Sequence, residues 1–257
     1  MTATTTPLPA DLRRQYQEEG FFILPAVIPT PMLDMLRQEC GIFVERCDRE
    51  MEARGKTVDG IIHKGKRYFI SNRYHESQHL YKFIFSELLA EVCRATLGPQ
   101  AYLFHEQWVV KGPEQGMKFA WHQDSGYVGY PHRPYLTCWC PLDDVTEANG
   151  TVYILPHNRG GTRQTIHTHT QEAGTNDLVG YHGPDPGMPV ICPAGSIVAF
   201  SSYTLHRSGA NTTSKMRRVY LPQYSAAPIL RPEGRLHAFA VPFLRDGRIV
   251  YDHATDR

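Results

Sequence analysis

His122 and Asp124 stand two residues apart in "FAWHQDSGYVGY", Phe119 to Tyr130, an apolar stretch rich in aromatic residues. On a strand, side chains two apart point the same way. The imidazole and the carboxylate can therefore converge on one point while Gln123 faces away. One nitrogen and one carboxylate oxygen make half of a metal site. The best candidate to complete it is His206 in "FSSYTLHRSGANTTSKMRR", which follows the turn "CPAGS" and the strand-like "SIVAFSS". Two histidines and one carboxylate on one face are the donor set of non-heme Fe(II) oxygenases, which leave positions open for a chelating cosubstrate and O2. Eleven residues past His206 comes Arg217. A guanidinium is a planar fork of donors that grips a carboxylate in two places. On the next strand, Arg217 could hold the far carboxylate of 2-oxoglutarate while the keto-acid end chelates the metal.

Thirteen histidines are present, so most must do something else. His167 and His169 in "TIHTHT" are also two apart. No carboxylate accompanies them, and the reading is exposed polar residues on a strand. His105 sits on an apolar strand, as a hydrogen-bonded core histidine or a pocket-lining one. Arg218 alternates to the other strand face from Arg217 and reads as a surface charge. Arg207 adjoins the distal histidine and reads as solvated or paired, with substrate contact as the alternative. Tyr127, Tyr130 and His132 follow the first metal motif on an expected loop, where they either contact substrate or simply pack.

The elements that must position these groups change along the chain. "ADLRRQYQEEG" has a short helical pattern stopping at Gly20, and "FFILP" reads as a buried strand. Thr30-Pro31 reads as a helix start, a capping hydroxyl followed by proline in the first helical position. Leu33, Leu36, Cys40, Phe43, Cys47 and Met51 then recur every three or four residues, as one face of a long helix would. "SELLAEVCRATLG" is a further helix closed by Gly98. From about residue 101, "AYLFHEQWVV", "YLTCWCPL", "TVYILP", "SIVAFSS" and "VYLPQYSA" are short strand-like runs separated by turn residues. The expectation is a single domain over residues 1–257. About 1–100 would be mainly helical support, and about 101–257 a closed or double-sheet β core able to hold a metal centre.

Bulk properties narrow the partners. A formal net charge of +1 gives no reason to expect nucleic acid or a membrane surface. The opening "MTATTTPLPADL" lacks a basic start and an apolar core, so no signal peptide is expected there. Six cysteines without a CxxC pair, in a chain large enough not to need disulfides, suggest reduced thiols and a cytoplasmic location. Cys138 and Cys140, on either side of Trp139, read as small buried apolar side chains. The oligomeric state expected is monomer or homodimer.

The order H-x-D, distal His, then Arg resembles the phytanoyl-CoA dioxygenase family of Fe(II)/2-oxoglutarate oxygenases, which share a double-stranded β-helix. "EEGFFILPAVIPTPMLDMLR", "WHQDSGYVGYP", "PLDDVTEANGTVYILPHN" and "HRSGANTTSKMRR" each resemble a family segment, so most of the chain is covered. The resemblance implies iron on His122, Asp124 and His206. It implies 2-oxoglutarate on Arg217, assisted by Ser208, with Gln107 and Trp139 lining the cosubstrate pocket. One departure stands out. Relatives have Gly-Ser-His after the proline, where this chain has His157-Asn158-Arg159 after Pro156, so a substrate role for that turn does not carry over.

The implied reaction is hydroxylation of an unactivated C–H bond in a small molecule, with a secondary metabolite as the expected kind, and release of succinate and CO2. Desaturation, epimerisation or cyclisation are alternative outcomes at the same centre. Halogenation is disfavoured, because Asp124 occupies the position that halide would need. From another class, a non-oxidative metal-binding barrel or a zinc hydrolase could use the same three donors. Such a protein has no reason to place Arg217 and Ser208 beside them.

Overall fold

Eight strands wind back and forth between two sheets in the computed structural model, which describes residues 8–256. The first seven residues, part of the opening stretch read above, lie outside it. Ala101–Lys111, Leu136–Pro141, Ile197–Ser201 and Arg217–Ser225 belong to the large sheet. Phe119–His122, Val152–Leu155, Met188–Pro189 and Leu205–Ser208 form the small one. In the large sheet Arg217–Ser225 lies between Ala101–Lys111 and Leu136–Pro141; in the small sheet Leu205–Ser208 lies between Phe119–His122 and Val152–Leu155. All these pairings are antiparallel. This is the expected double-stranded β-helix, and each of the five strand-like runs read from the sequence falls on one of its strands.

The helices cover the outer face of the large sheet. Ala10–Glu19 ends on Gly20, whose φ of 86° lets its N–H return to the Tyr16 carbonyl. Phe21–Leu24 then pairs with Ile197–Ser201 at the sheet edge. The long helix Thr30–Ala53 buries the predicted stripe, with Val44 and Glu39 added. Each of its buried apolar side chains contributes about 1.5–3 kcal/mol relative to exposure. Its start differs from expectation. Pro29 holds the cap position, its carbonyl accepts from Met32 and Leu33, and no side chain caps the helix. Thr30 is already helical, so its hydroxyl does not fill the capping role. Glu87–Thr96 starts on Ser86, which accepts from the Leu89 N–H at 3.4 Å, and gives way to Gly98 at φ 94°.

Alternation on the sheet divides the core in two. Cys138, Cys140, Trp108 and Tyr220 face the helices, while Trp139, Val198, Val219 and Leu221 face the space between the sheets. All six cysteines are buried free thiols. The first hundred residues, expected to be mainly helical support, carry further strands as well. Val58–Asp59, Ile62–His63 and Arg67–Ser71 add three strands beyond Ala101–Lys111. Glycines and charges interrupt the apolar alternation there. Arg67, fully buried, is neutralised by Asp177 at 2.7 Å and donates to the Ile61, Lys118 and Thr175 carbonyls.

Candidate metal centre and cosubstrate pocket

His122 lies directly opposite His206 across the small sheet, and the ring centroids are 4.1 Å apart. The strand carrying His122 ends there, and Asp124 opens a short 3-10 turn. Gln123 keeps extended backbone, φ −111° and ψ 137°, so the alternation still carries Asp124 to the same side. The buried Gln123 faces away as expected. Its amide donates to the Thr165 and Tyr203 carbonyls and accepts from the His167 N–H. One donor atom from each of His122, Asp124 and His206 lies within 4.8 Å of the others.

The protonation pattern suits a cation. His122 Nδ1 is 2.8 Å from the Ala120 carbonyl, and His206 Nδ1 is 3.0 Å from the Thr204 carbonyl. Carbonyls only accept, so each Nδ1 carries a hydrogen, and in the neutral imidazole Nε2 is then the atom that presents its lone pair. Those Nε2 atoms lie 3.7 Å and 3.5 Å from Asp124 Oδ1. Three electron pairs converging on one point repel unless a cation lies among them, so the donor set fits a divalent metal. Burial holds His206 down to about 4, which keeps it unprotonated. Burial alone would raise Asp124, but His206, His122 and hydrogen bonds hold it at about 2. Its other oxygen, Oδ2, accepts from the Thr137 hydroxyl at 2.6 Å and the Gln223 amide at 2.9 Å.

Arg217 is buried and projects into the same narrow cavity, over the Trp139 ring at 5.6 Å. Its Nη2 donates to the Gly150 carbonyl at 3.0 Å and its Nη1 reaches the Val109 carbonyl at 3.5 Å, while its Nε has no partner among the described residues. Burial lowers the guanidinium to about 10. Lys111, also buried, pairs with Arg217 across the sheet, and its ammonium donates to the Met117 and Gly209 carbonyls. The buried guanidinium makes this end of the cavity electropositive, and its orphaned buried donor fits an anionic ligand, while burial beside Arg217 pushes the Lys111 ammonium well below its ordinary pKa. Ser208, Gln107 and Trp139 line this cavity together with Arg217 and the three donors. The fold thus brings together all seven residues singled out from the sequence.

The expectation for His167 and His169 changes. His167 and His169 are half-buried, outside any strand, and brace the metal motif. His169 Nε2 accepts from the Gln123 N–H at 3.0 Å, and its ring packs so tightly on Gly126 and Gly180 that a Cβ at either would collide with it. His157, in the departing turn, is buried against Gly20 and bonded to Thr162, and Arg159 pairs with Asp185. Gly20 is required by that close approach as well as by its φ. Arg218 chelates Asp143 on the outer face. Arg207 lies over the Tyr153 ring at 3.7 Å and near Trp121. The Tyr127 hydroxyl accepts from the Leu178 N–H, and His132 bonds Ser125.

A second cavity of about 270 Å³ opens beside the triad, bordered by His105, Phe69, Phe104, Tyr127, Tyr135 and His237 as well as His122 and Asp124. The sequence reading missed His237, Thr137 and Gln223. Thr137 and Gln223 sit on strands already recognised, but nothing local marks a polar residue as a partner of Asp124.

The family model of phytanoyl-CoA dioxygenase (PhyH) matches residues 16–219. The peroxisomal phytanoyl-CoA dioxygenase of Rattus norvegicus is 24% identical over 246 residues, covering 88% of this chain and 71% of that protein. A probable alpha-ketoglutarate-dependent hypophosphite dioxygenase of Stutzerimonas stutzeri is 28% identical over 241 residues, covering 85% and 79%. Among solved structures, EctD from S. alaskensis with 2-oxoglutarate and 5-hydroxyectoine superposes with a TM-score of 0.69 at 18% identity, covering 95% of this chain and 89% of EctD. That likeness shows a shared fold. With its donor triad, its buried guanidinium and a family match over most of its length, the chain belongs to the phytanoyl-CoA dioxygenase family of non-heme iron, 2-oxoglutarate-dependent oxygenases.

Proposed function

We propose that this chain hydroxylates an unactivated C–H bond of a small molecule, with Fe(II) on His122, Asp124 and His206. In this reading Arg217 and Ser208 take the far carboxylate of 2-oxoglutarate, and Gln107 and Trp139 line its pocket. The observation that carries the reading is one cavity with three converging lone pairs at one end and an incompletely paired buried guanidinium at the other. A zinc hydrolase would have no use for that guanidinium. The bound metal, with 2-oxoglutarate and O2, supplies the oxidising power and releases succinate and CO2.

The chain's own residues bind and orient. Nδ1 hydrogen bonds fix both imidazole planes, and Thr137 with Gln223 fixes the carboxylate. Phe69 and Phe119 line both cavities and help exclude water. The whole chain acts as one unit in this reading, because the large sheet takes strands from both halves. Buried reduced thiols support a reducing, cytoplasmic setting. Among the described residues no helix is long and apolar enough to cross a membrane.

The test is O2 consumption and succinate formation by purified protein. Slow turnover without substrate is expected, and only with both Fe(II) and 2-oxoglutarate. Succinate that forms equally without either would overturn the reading.

A further inference from the structure

The wider cavity beside the triad has an unusual chemistry for a family whose named member acts on a CoA thioester. Phe69, Phe104 and Phe119 supply aromatic walls, with the Tyr135 ring beside them. Among the described residues no lysine or arginine lines it, and its one carboxylate is Asp124, which belongs to the metal centre. The remaining polar lining is neutral, and two imidazoles, His105 and His237, stand out in it.

Both imidazoles are held in place. His105 lies on the Ala101–Lys111 strand, on the same face as Gln107. His237 comes from the connection before the Val241–Arg245 strand. Its N–H bonds the Ile229 carbonyl at 2.9 Å, its ring lies 5.5 Å from Phe104, and its Nδ1 meets the Tyr130 hydroxyl. That last contact joins the loop after the metal motif to the C-terminal segment at the cavity. Burial lowers the pKa of both rings, His105 to about 4, so both are neutral at physiological pH.

A charged substrate group placed among these walls would lose its water without gaining a counter-charge, which is costly. A hydroxyl or carbonyl would instead find imidazole partners, and a ring would find aromatic faces. At about 270 Å³, the cavity lies just below the ~300–1,000 Å³ typical of drug-sized ligand sites.

We infer that the substrate is a compact, uncharged, ring-bearing molecule with a hydroxyl or carbonyl group, seated in this cavity and selected by His105 and His237. The inference rests on the oxygenase reading, because it takes the triad as the end of the cavity where oxidation occurs.

The experiment uses the full chain loaded with Zn(II) and 2-oxoglutarate, which binds without turning over. Three probes differing in one group are titrated by ligand-observed NMR: 2-phenylethanol, phenylacetate and 2-phenylethylamine. The alcohol should bind at least about tenfold more tightly than either ion. His105→Leu and His237→Leu, on separate elements and checked by circular dichroism, should each weaken the alcohol about fivefold. Both should leave Zn(II)-dependent 2-oxoglutarate binding within about twofold. A charged probe that binds as well as the alcohol, no binding by any of the three, or folded variants that both keep the alcohol's affinity would overturn the inference. The wild-type order of the probes decides even where a variant fails to fold. Loss of Zn(II)-dependent 2-oxoglutarate binding in the wild type would be a different failure, that of the oxygenase reading itself.

Discussion

The side-chain amide of Gln223 donates to Asp124 Oδ2 at 2.9 Å, across ninety-nine residues of sequence. The Thr137 hydroxyl donates to the same oxygen and also accepts from Gln223. Two donors thus occupy Oδ2, and only Oδ1 is turned toward the two imidazole Nε2 atoms. The carboxylate is arranged to offer a metal one oxygen, with room left beside it.

Gln223→Leu removes one of those donors and frees the carboxylate to rotate. Loss of a partner that orients a ligand typically costs about 10–100-fold in metal affinity. Competition titration with Co(II) should show a weakening in that range, and Thr137→Val should do the same while Thr137→Ser restores affinity. Affinities equal to wild type in both Gln223→Leu and Thr137→Val would mean that Asp124 is held by something else.

Arg217→Ala should weaken 2-oxoglutarate binding by about 2–5 kcal/mol, since a charge-assisted contact is lost. Metal affinity should change little. Arg217→Lys should recover only part of the loss, because an ammonium cannot make the two-pronged contact. Arg218→Ala is the control, since that side chain is committed to Asp143 on the outer face. Calorimetry on the Zn(II) form separates them; an equal loss in the Arg218 variant would mean the wrong arginine was chosen.

Asp124→Asn keeps the shape and removes the charge, so iron content after reconstitution should fall while the circular dichroism spectrum stays unchanged. His167→Ala should keep its iron, since His167 Nδ1 is engaged with the Gly180 carbonyl rather than with the triad. The opposite pattern would place the metal at "IHTHT".

Glu106 gives the fold a pH dependence independent of the metal. It points to the helix side of its strand, is almost fully buried, and accepts from the Arg73 and Tyr74 N–H groups. Burial raises its carboxyl to about 7 from the ordinary 4.5. The folded state therefore holds a proton that the unfolded state has released between those values. That contribution to stability is complete below about 4.5 and is lost as pH rises through 7. Glu106→Gln cannot ionise. Its melting temperature relative to wild type should climb between pH 5.5 and 8.5, by an amount equivalent to about 2 kcal/mol. A constant difference across that range would show that Glu106 ionises normally.

Much of this arrangement is legible in the sequence. His122, Asp124, His206 and Arg217 stand out because their types and spacings match one chemistry, and the strands that carry them alternate cleanly. Arg67–Ser71 was not legible. Its inward cation makes sense only when Asp177, 110 residues away, arrives to neutralise it. Gln223 and Thr137 are ordinary polar residues until strand pairing places them side by side. Thr30 had the right type for a cap, but a proline on either side of it shifted the helix start by one residue.

The winding of the two sheets has one more consequence. Every group proposed to touch iron or 2-oxoglutarate sits on a strand or two residues from its end, whereas Tyr130 and His237 ride on connections between strands. A slip of one position on the Arg217–Ser225 strand would turn Arg217 toward the helices and offer Arg218 to the cavity. Exchange of the 125–135 or 226–240 segments would re-register no strand. The reaction is therefore written wholly into the barrel, while selectivity is shared between barrel and loops: swapping loops would exchange His237 and leave His105 and the phenylalanine walls in place, whereas altering the chemistry means rebuilding the barrel.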